Sequence, residues 1–367
     1  MKIVIVGGGT AGHFYPLMAV TEEVKKQAVL DKVVDPQIYY FGEKNYNPKM
    51  LEERGVMYVY IPSGKNRLYF SFLNFLDIFK VFGGTIYAFF KLLVIFPDVI
   101  FSKGGYDSVP TCLAAFMLRI PIVMHDSDSV PGRASLLVSR FAYRIAVSYP
   151  EAVKYFKNNA VVAVVGQPML QKYTPAEDYI RNYKKGRKNI LIVGGSSGSV
   201  KINDKILEVL PELCSTYNVI HQTGENNILD IKARSSVVLA SYNKDAYAAY
   251  ASLDFSKIYP DIDLVISRAG SVMFEFAAWQ IPAIIIPISS EVSRDQESNA
   301  YAMEKLGAIK VVLEENLTSH LLLNLIASIL DDNAKYESMT AAAKSNTKFG
   351  ASNAIAKEIV KIIASHK

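Results

Sequence analysis

The chain has 367 residues, half of them hydrophobic and a fifth charged, a balance that excludes disorder and fits two globular domains. Lysine and arginine exceed aspartate and glutamate by five. That excess is too small to imply nucleic acid, though it suits an anionic membrane surface or a phosphate-bearing ligand. The only cysteines, Cys112 and Cys214, lie in apolar surroundings and offer neither a disulfide framework nor a zinc spacing.

One lysine and a very short apolar run precede the first glycines, which does not make a signal peptide, so a cytoplasmic location is expected. The first strand is KIVIV (2–6), followed by GGGTAGHFYP (7–16), in which Gly7, Gly9 and Gly12 fit G-x-G-x-x-G. A dinucleotide fold continues from the third glycine into an uninterrupted helix. Here His13, two aromatics and Pro16 intervene, which puts the expected helix start near Tyr15. The acid expected about 20 residues further on is also out of place: Asp31 and Asp35 precede the second strand and Glu43 comes late. The context therefore argues against a nicotinamide or flavin.

Further strands are expected at QIYYF (37–41), VMYVYI (56–61), DVIFS (98–102), IPIVMH (120–125) and RIAVS (144–148). Between the third and fourth runs lies a stretch (68–96) with ten aromatics and three charges, Asp77, Lys80 and Lys91. These charges break it before 18 uninterrupted apolar residues accumulate, so it does not read as a transmembrane span. It reads either as a buried helix pair or as a segment dipping into a membrane interface, with Lys65, Arg67, Lys80 and Lys91 among or beside the aromatics. The polar stretch 171–188 reads as a linker. Beyond it strands are expected at NILIVG (189–194), YNVIH (217–221), SVVLA (236–240), DLVIS (263–267), PAIIIP (282–287) and AIKVV (308–312). Runs that are apolar throughout indicate parallel strands covered on both faces, hence two doubly wound α/β domains, 1–168 and 186–350. A last helix at about 352–365 is expected to pack back on the first domain.

The N-terminal turn with its histidine resembles G-G-T-G-G-H-x-x-P, a signature of the MurG family of glycosyltransferases. SKGGYDSVP (102–110) is similar to the family's G-G-Y-x-S-x-P loop, HDSDSVPGRAS (125–135) to H-E-Q-N-x-x-P-G and VVGQP (164–168) to V-G-N-P. GGSSGS (194–199) is similar to G-G-S-Q-G-A, and HQTG (221–224) matches outright. SRAGSVMFEFAA (267–278) and RDQESNA (294–300) resemble two further family segments. The resemblance implies a GT-B fold, two facing Rossmann-like domains. It also implies an inverting, metal-independent and cofactor-free enzyme at the cytoplasmic face of the cell membrane. Such an enzyme would move N-acetylglucosamine from UDP-GlcNAc to a lipid-linked muramyl-pentapeptide acceptor. Rival readings are a related epimerase or glycolipid synthase, and a non-catalytic sugar-nucleotide-binding protein.

On that resemblance His13 is the general base, with His125 and Glu275 as alternatives, since inverting transfer needs a group to take the acceptor hydroxyl's proton. The first glycine turn would hold the acceptor's diphosphate. The substrate-binding candidates are Thr10, Ala11, Gly12, Asp128, Ser196, Ser271, Met273, Glu275, Gln296 and Asn299; Gly104, Gly105, Tyr106 and His125 are acceptor-side candidates. GGSSGS is either a diphosphate cradle, with Ser196 donating a hydroxyl, or an ordinary βα turn. Glu275 either pairs with ribose hydroxyls or is a helix-start acid favoured by the macrodipole. Gln296 and Asn299 either bind sugar hydroxyls or are surface polar groups. His125 and His221 also read as strand-end histidines satisfied by hydrogen bonds. Asp126–Ser127–Asp128, a D-x-D, is not assigned a metal. Departures from the family are Thr10–Ala11–Gly12 for Thr-Gly-Gly, Asp126–Ser127–Asp128 for Glu-Gln-Asn, and Leu170 for an arginine, with Lys172 the nearby cation.

Overall fold

A computed structural model of the chain describes residues 1–7, 11–30, 36–64, 72–156, 161–170, 186–194, 198–242, 244–289, 296–346 and 350–365. The chain divides into two units, Met1–Gln171 with Lys348–Lys367, and Lys172–Thr347.

The first unit holds a parallel sheet of β1 (Lys2–Val6), β2 (Gln37–Gly42), β3 (Val56–Tyr60), β4 (Val99–Ser102), β5 (Ile122–Asp126), β6 (Arg144–Val147) and β7 (Val161–Val164), in the order β3-β2-β1-β4-β5-β6-β7. In β1 the side chains alternate between two cores. Ile3 and Ile5 join one with Phe14 and Phe101, while Val4 and Val6 join the other with Phe41 and Ile100. Both faces are covered, which is why the sequence shows no polar alternation. The strand order reverses between β1 and β4, and ligands of such sheets bind in the crevice outside the strand ends at that point.

Helices α1 (Ala11–Leu30), α2 (Pro48–Glu53), α3 (Phe72–Ile95), α4 (Ser108–Met117) and α5 (Arg133–Ser139) accompany this sheet. α1 starts at Ala11, four residues before the expected position, and carries Pro16 inside it. Pro16 removes one i→i−4 hydrogen bond, and the residue its ring faces across that gap is Gly12, which has no side chain to add to the clash. His13 thus lies in the first helical turn and not in a loop.

α3 is a single helix with two unlike sides. Gly84, Ala88 and Leu92 are buried, and a Cβ on Gly84 would lie 2.0 Å from the Pro62 carbonyl oxygen. Ile78, Phe79, Phe82, Ile86, Phe90 and Val94 are exposed, at the three- and four-residue spacing of one helix face. Asp77–Ile95 has a mean hydropathy of 1.8, enough by length and composition to cross a membrane, although charges interrupt it. The expectation of a buried helix pair fails along this exposed face. Lys65 and Arg67 lie outside the described residues.

In the second unit β8 (Asn189–Val193), β9 (Asn218–Gln222), β10 (Tyr247–Tyr250), β11 (Leu264–Ser267), β12 (Ala283–Ile285) and β13 (Ile309–Val311) form a parallel sheet in the order β10-β9-β8-β11-β12-β13. The helices are α6 (Val200–Thr216), α7 (Ile228–Val238), α8 (Val272–Ala278), α9 (Gln296–Glu304), α10 (Ser319–Leu330) and α11 (Asn333–Asn346). SVVLA is not a strand. Its residues close α7, where Ile231, Ser235 and Leu239 are buried four apart while Val237 is exposed. A short β-branched run fits either period, and here helical packing decides. The edge strand is YAAY, β10. α12 (Ala351–Ser365) returns to the first unit, where Ile355, Ala356, Ile359 and Ile362 share a core with Phe14 and Leu17 of α1.

Candidate active site

In the first unit the strand ends at the order reversal collect most of the ionisable side chains predicted there. Gly7 follows β1 at φ +136°, and a Cβ on it would lie 2.8 Å from Lys103 Cβ. That conformation and that contact leave room only for glycine. The Lys103 N–H donates to the Val6 carbonyl at 2.8 Å, which seats the end of β4 beside the turn. Gly104 and Gly105 follow at φ +79° and +80°, and a Cβ on Gly104 would meet Ser135 Oγ at 2.8 Å. Tyr106 is half-buried beside the buried Asp107.

His13 is half-buried, but its Nδ1 is fully buried and has no hydrogen-bond partner. Burial, and then the Lys103 charge, lower its pKa to about 4, against the opposing pull of Asp128 and of a hydrogen bond to the Lys103 backbone. The ring is therefore neutral at pH 7. Lys103 itself is buried, and its ammonium donates to Ser127 Oγ. Burial lowers its pKa to about 8, with Asp126 and Asp128 opposing the fall. Asp126 is raised to about 6 by burial and by Asp128, and its Oδ1 accepts the Asp128 N–H at 2.9 Å. Sequence reasoning missed Lys103. The available signal was a lysine ending an apolar strand run immediately before two glycines.

His125 is fully buried. Its Nε2 donates to the Gly166 carbonyl at 2.9 Å, its Nδ1 is unpartnered, and burial holds its pKa well below the usual range. Leu170 packs against the first unit's core. Gly12 and Ala11 belong to the first turn of α1. Thr10 and Lys172 lie outside the described residues.

The second unit repeats the arrangement at its own order reversal, between β8 and β11. Gly194 follows β8, and a Cβ there would lie 2.5 Å from the Ser199 N; Gly198 has φ +78° and backs onto the Thr223 carbonyl. Ser199 caps α6 by accepting from the Ile202 N–H. Arg268, at the end of β11, is buried and donates from Nη2 to Ser199 Oγ at 2.6 Å and to Glu314, and from Nη1 to the Ile286 carbonyl at 3.2 Å. It too was overlooked in the sequence. Ser196 lies outside the described residues.

Glu275 sits in the first turn of α8 and accepts the Tyr259 hydroxyl at 2.9 Å. Burial raises its pKa, the Tyr259 bond opposing. Ser271 precedes the helix without a side-chain capping bond, and the Met273 side chain is buried in the core, so only its backbone can face a ligand. Gln296 opens α9 and accepts the Ile288 N–H at 3.1 Å; Asn299, one turn on, is buried. His221 is buried within β9, bonded to Tyr247 Oη at 3.0 Å and to Asn203 Oδ1 at 3.1 Å, a hydrogen-bonded structural histidine.

The chemistry these groups can supply is a neutral imidazole beside the first glycine turn and, in the second unit, a carboxylate in the first turn of α8 aimed by a tyrosine. Comparison with known proteins fits that pattern. Residues 3–147 match the glycosyltransferase family 28 N-terminal domain and residues 189–356 the family 28 C-terminal domain. A Clostridium perfringens protein named UDP-N-acetylglucosamine--N-acetylmuramyl-(pentapeptide) pyrophosphoryl-undecaprenol N-acetylglucosamine transferase is 38% identical over 346 residues, covering 91% of this chain and 92% of its own. Among solved structures, MurG of Acinetobacter baumannii superposes with a TM-score of 0.75 at 24% identity, covering 98% of this chain and 99% of its own. The UDP-GlcNAc 2-epimerase of Neisseria meningitidis, bound to UDP-GlcNAc, superposes with a TM-score of 0.71 at 14% identity, covering the whole of both chains. Those two likenesses establish the fold, and the first relative's identity reaches across both domains.

Proposed function

Since this chain belongs to the MurG family of glycosyltransferases, we propose that it transfers N-acetylglucosamine from UDP-GlcNAc to the C4 hydroxyl of a lipid-linked N-acetylmuramyl-pentapeptide. The observation that carries this reading is the 38% identity, over nine-tenths of the chain, to a relative named for that reaction. An epimerase shares the fold, so fold alone does not choose between the two.

His13 takes the role of general base, because its ring is neutral at pH 7 and an uncharged imidazole can accept the proton of the attacking hydroxyl. A base with a pKa near 4 is weak in the free protein. Diphosphate charge brought in by the substrates raises it toward the working range, so the base strengthens as the site fills. Gly7, Ala11 and Gly12 open the anion-binding end of α1 toward the acceptor diphosphate. In the second unit the α6 N-terminus holds the UDP diphosphate, Glu275 binds ribose hydroxyls, and Gln296 and Asn299 meet the sugar. No metal is needed where two helix N-termini face the phosphates. Docking at the cytoplasmic face of an anionic membrane, as a peripheral protein, is supported by the exposed face of α3. Its opposite face is committed to the domain through Gly84, Ala88 and Leu92, so α3 lies in the interface and does not leave the domain to span it.

The test is a transfer assay with labelled UDP-GlcNAc and a lipid-linked muramyl-pentapeptide, run beside an assay for C2 epimerisation of the donor. Transfer is expected, and His13→Ala should lower kcat by roughly 10²–10⁴-fold with UDP-GlcNAc affinity near that of the parent. Epimerisation without transfer would reject the reading; a His13→Ala protein with most of its turnover would move the base elsewhere.

A further inference from the structure

Among the described residues Lys103 is the one buried lysine, and it lies where four strand ends meet. Its backbone N–H bonds to β1 through the Val6 carbonyl, and its Cβ fills the space that Gly7 leaves. Its ammonium donates to Ser127 Oγ just beyond β5. Ser127 in turn donates to Gln167 Oε1 at 3.0 Å, and Ser148, at the end of β6, donates to the same oxygen at 3.1 Å. Asp126 and Asp128 flank the charge electrostatically. A buried cation loses its hydration and persists only where such partners offset that loss. The second unit carries a buried cation, Arg268, at the corresponding strand end, also bonded to a serine hydroxyl. Two buried cations at two order reversals are not explained by packing of the cores, which are otherwise apolar.

We propose that Lys103 is a positioning residue for the His13 base, its buried ammonium clamping the Asp126–Asp128 segment against the first glycine turn. This rests on the glycosyltransferase reading. A fixed positive charge beside the imidazole also disfavours the imidazolium, so the ring stays ready to accept a proton. The groups that act on the ring are Lys103 from β4, and His125 and Asp128 from β5 and its following loop. On α1 itself Glu22 is paired with Arg54 and Glu23 with Lys26, and on α12, which packs along α1, Glu358 is paired with Arg144 at 2.8 Å. Among the described residues Lys103 is thus the cation that acts on the ring.

The experiment follows the His13 imidazole by ¹⁵N NMR against pH in the full-length protein without substrates, the signal being assigned by its loss in His13→Gln. The same samples are assayed for transfer. In Lys103→Met the His13 titration should move to higher pH, and kcat should fall at least about tenfold with KM for UDP-GlcNAc unchanged. An unmoved titration in a folded Lys103→Met protein overturns the proposal. Should that variant not fold, Ser127→Ala carries the test, since it removes the ammonium's partner at the loss of one oxygen. It should lower kcat several-fold at constant KM, and parental kcat overturns the proposal. A parent protein without transfer activity would defeat the functional reading alone, because the titration is recorded without substrate.

Discussion

Replacing Phe82 by serine tests the membrane-facing side of α3. Phe82 is 67% exposed on that face, between the exposed Phe79 and Ile86. A phenylalanine side chain offers about 200 Å² of apolar surface, so about 130 Å² of Phe82 is available for burial in lipid. At about 25 cal/mol per Å² that is roughly 3 kcal/mol, and partial insertion at an interface makes roughly 2–3 kcal/mol the working expectation. Phe82→Ser should therefore weaken partition into anionic vesicles by roughly 30- to 150-fold. Flotation of the purified protein on vesicles containing phosphatidylglycerol measures it. Leu229→Ser, which removes a still more exposed leucine from α7 of the second unit, is the control and should float as the parent does. The melting temperature should hold or rise, since the phenylalanine contributes little to the core. Unaltered flotation of a folded Phe82→Ser protein would refute the assignment of this face to the membrane. A collapse in melting temperature would mean that the side chain supports the fold.

Three further outcomes are expected. Glu275→Ala should weaken UDP binding by roughly 1–3 kcal/mol in calorimetry, the scale of leaving buried hydroxyl partners unpaired; unchanged affinity in a folded variant removes Glu275 from the donor site. Gly7→Ala should destabilise the first unit by at least about 1–3 kcal/mol in thermal or urea unfolding, because the new methyl meets Lys103 Cβ at 2.8 Å from a backbone at φ +136°. His221 is held by burial at a pKa of about 3, below its ordinary 6.5. Its unfolded form takes up a proton first, so its contribution to stability is complete above about pH 6.5 and is lost as pH falls toward 3. Urea unfolding of His221→Gln should accordingly lose less stability between about pH 7 and pH 4 than the parent, and parallel losses would contradict the sign.

The sheets were largely legible because their strands are buried on both faces, and a run such as KIVIV or NILIV has no other economical reading. SVVLA misled because five residues do not separate a strand from the end of an amphipathic helix; only the burial of Ile231, Ser235 and Leu239 does. The start of α1 was misjudged because Pro16 was given the first-turn rule, while the small Gly12 four residues earlier lets the helix begin before it. Within the candidate sites, motif resemblance picked out His13 and Glu275, whose side chains carry chemistry alone. It passed over Lys103 and Tyr259, which act on His13 and Glu275, and Arg268, which holds Ser199 and Glu314 at the end of β11. Such partners are defined by the meeting of β1 with β4 and of β8 with β11, a relation that exists only once the sheets have formed.

The return of α12 to the first unit sets the order in which the two units can be completed. The core beneath α1 is closed by Ile355, Ile359 and Ile362, residues synthesised after the whole of the second unit. On the ribosome the unit that begins to emerge first is therefore the last to be finished, while the second, made from one continuous stretch, can close as soon as its own strands are out. Until α12 arrives, one side of α1 stays bare and offers an apolar surface to chaperones. A premature stop before residue 351 would leave that surface exposed permanently. Such a product should be cleared from the cell although both glycine turns, His13 and Glu275 are all present in it.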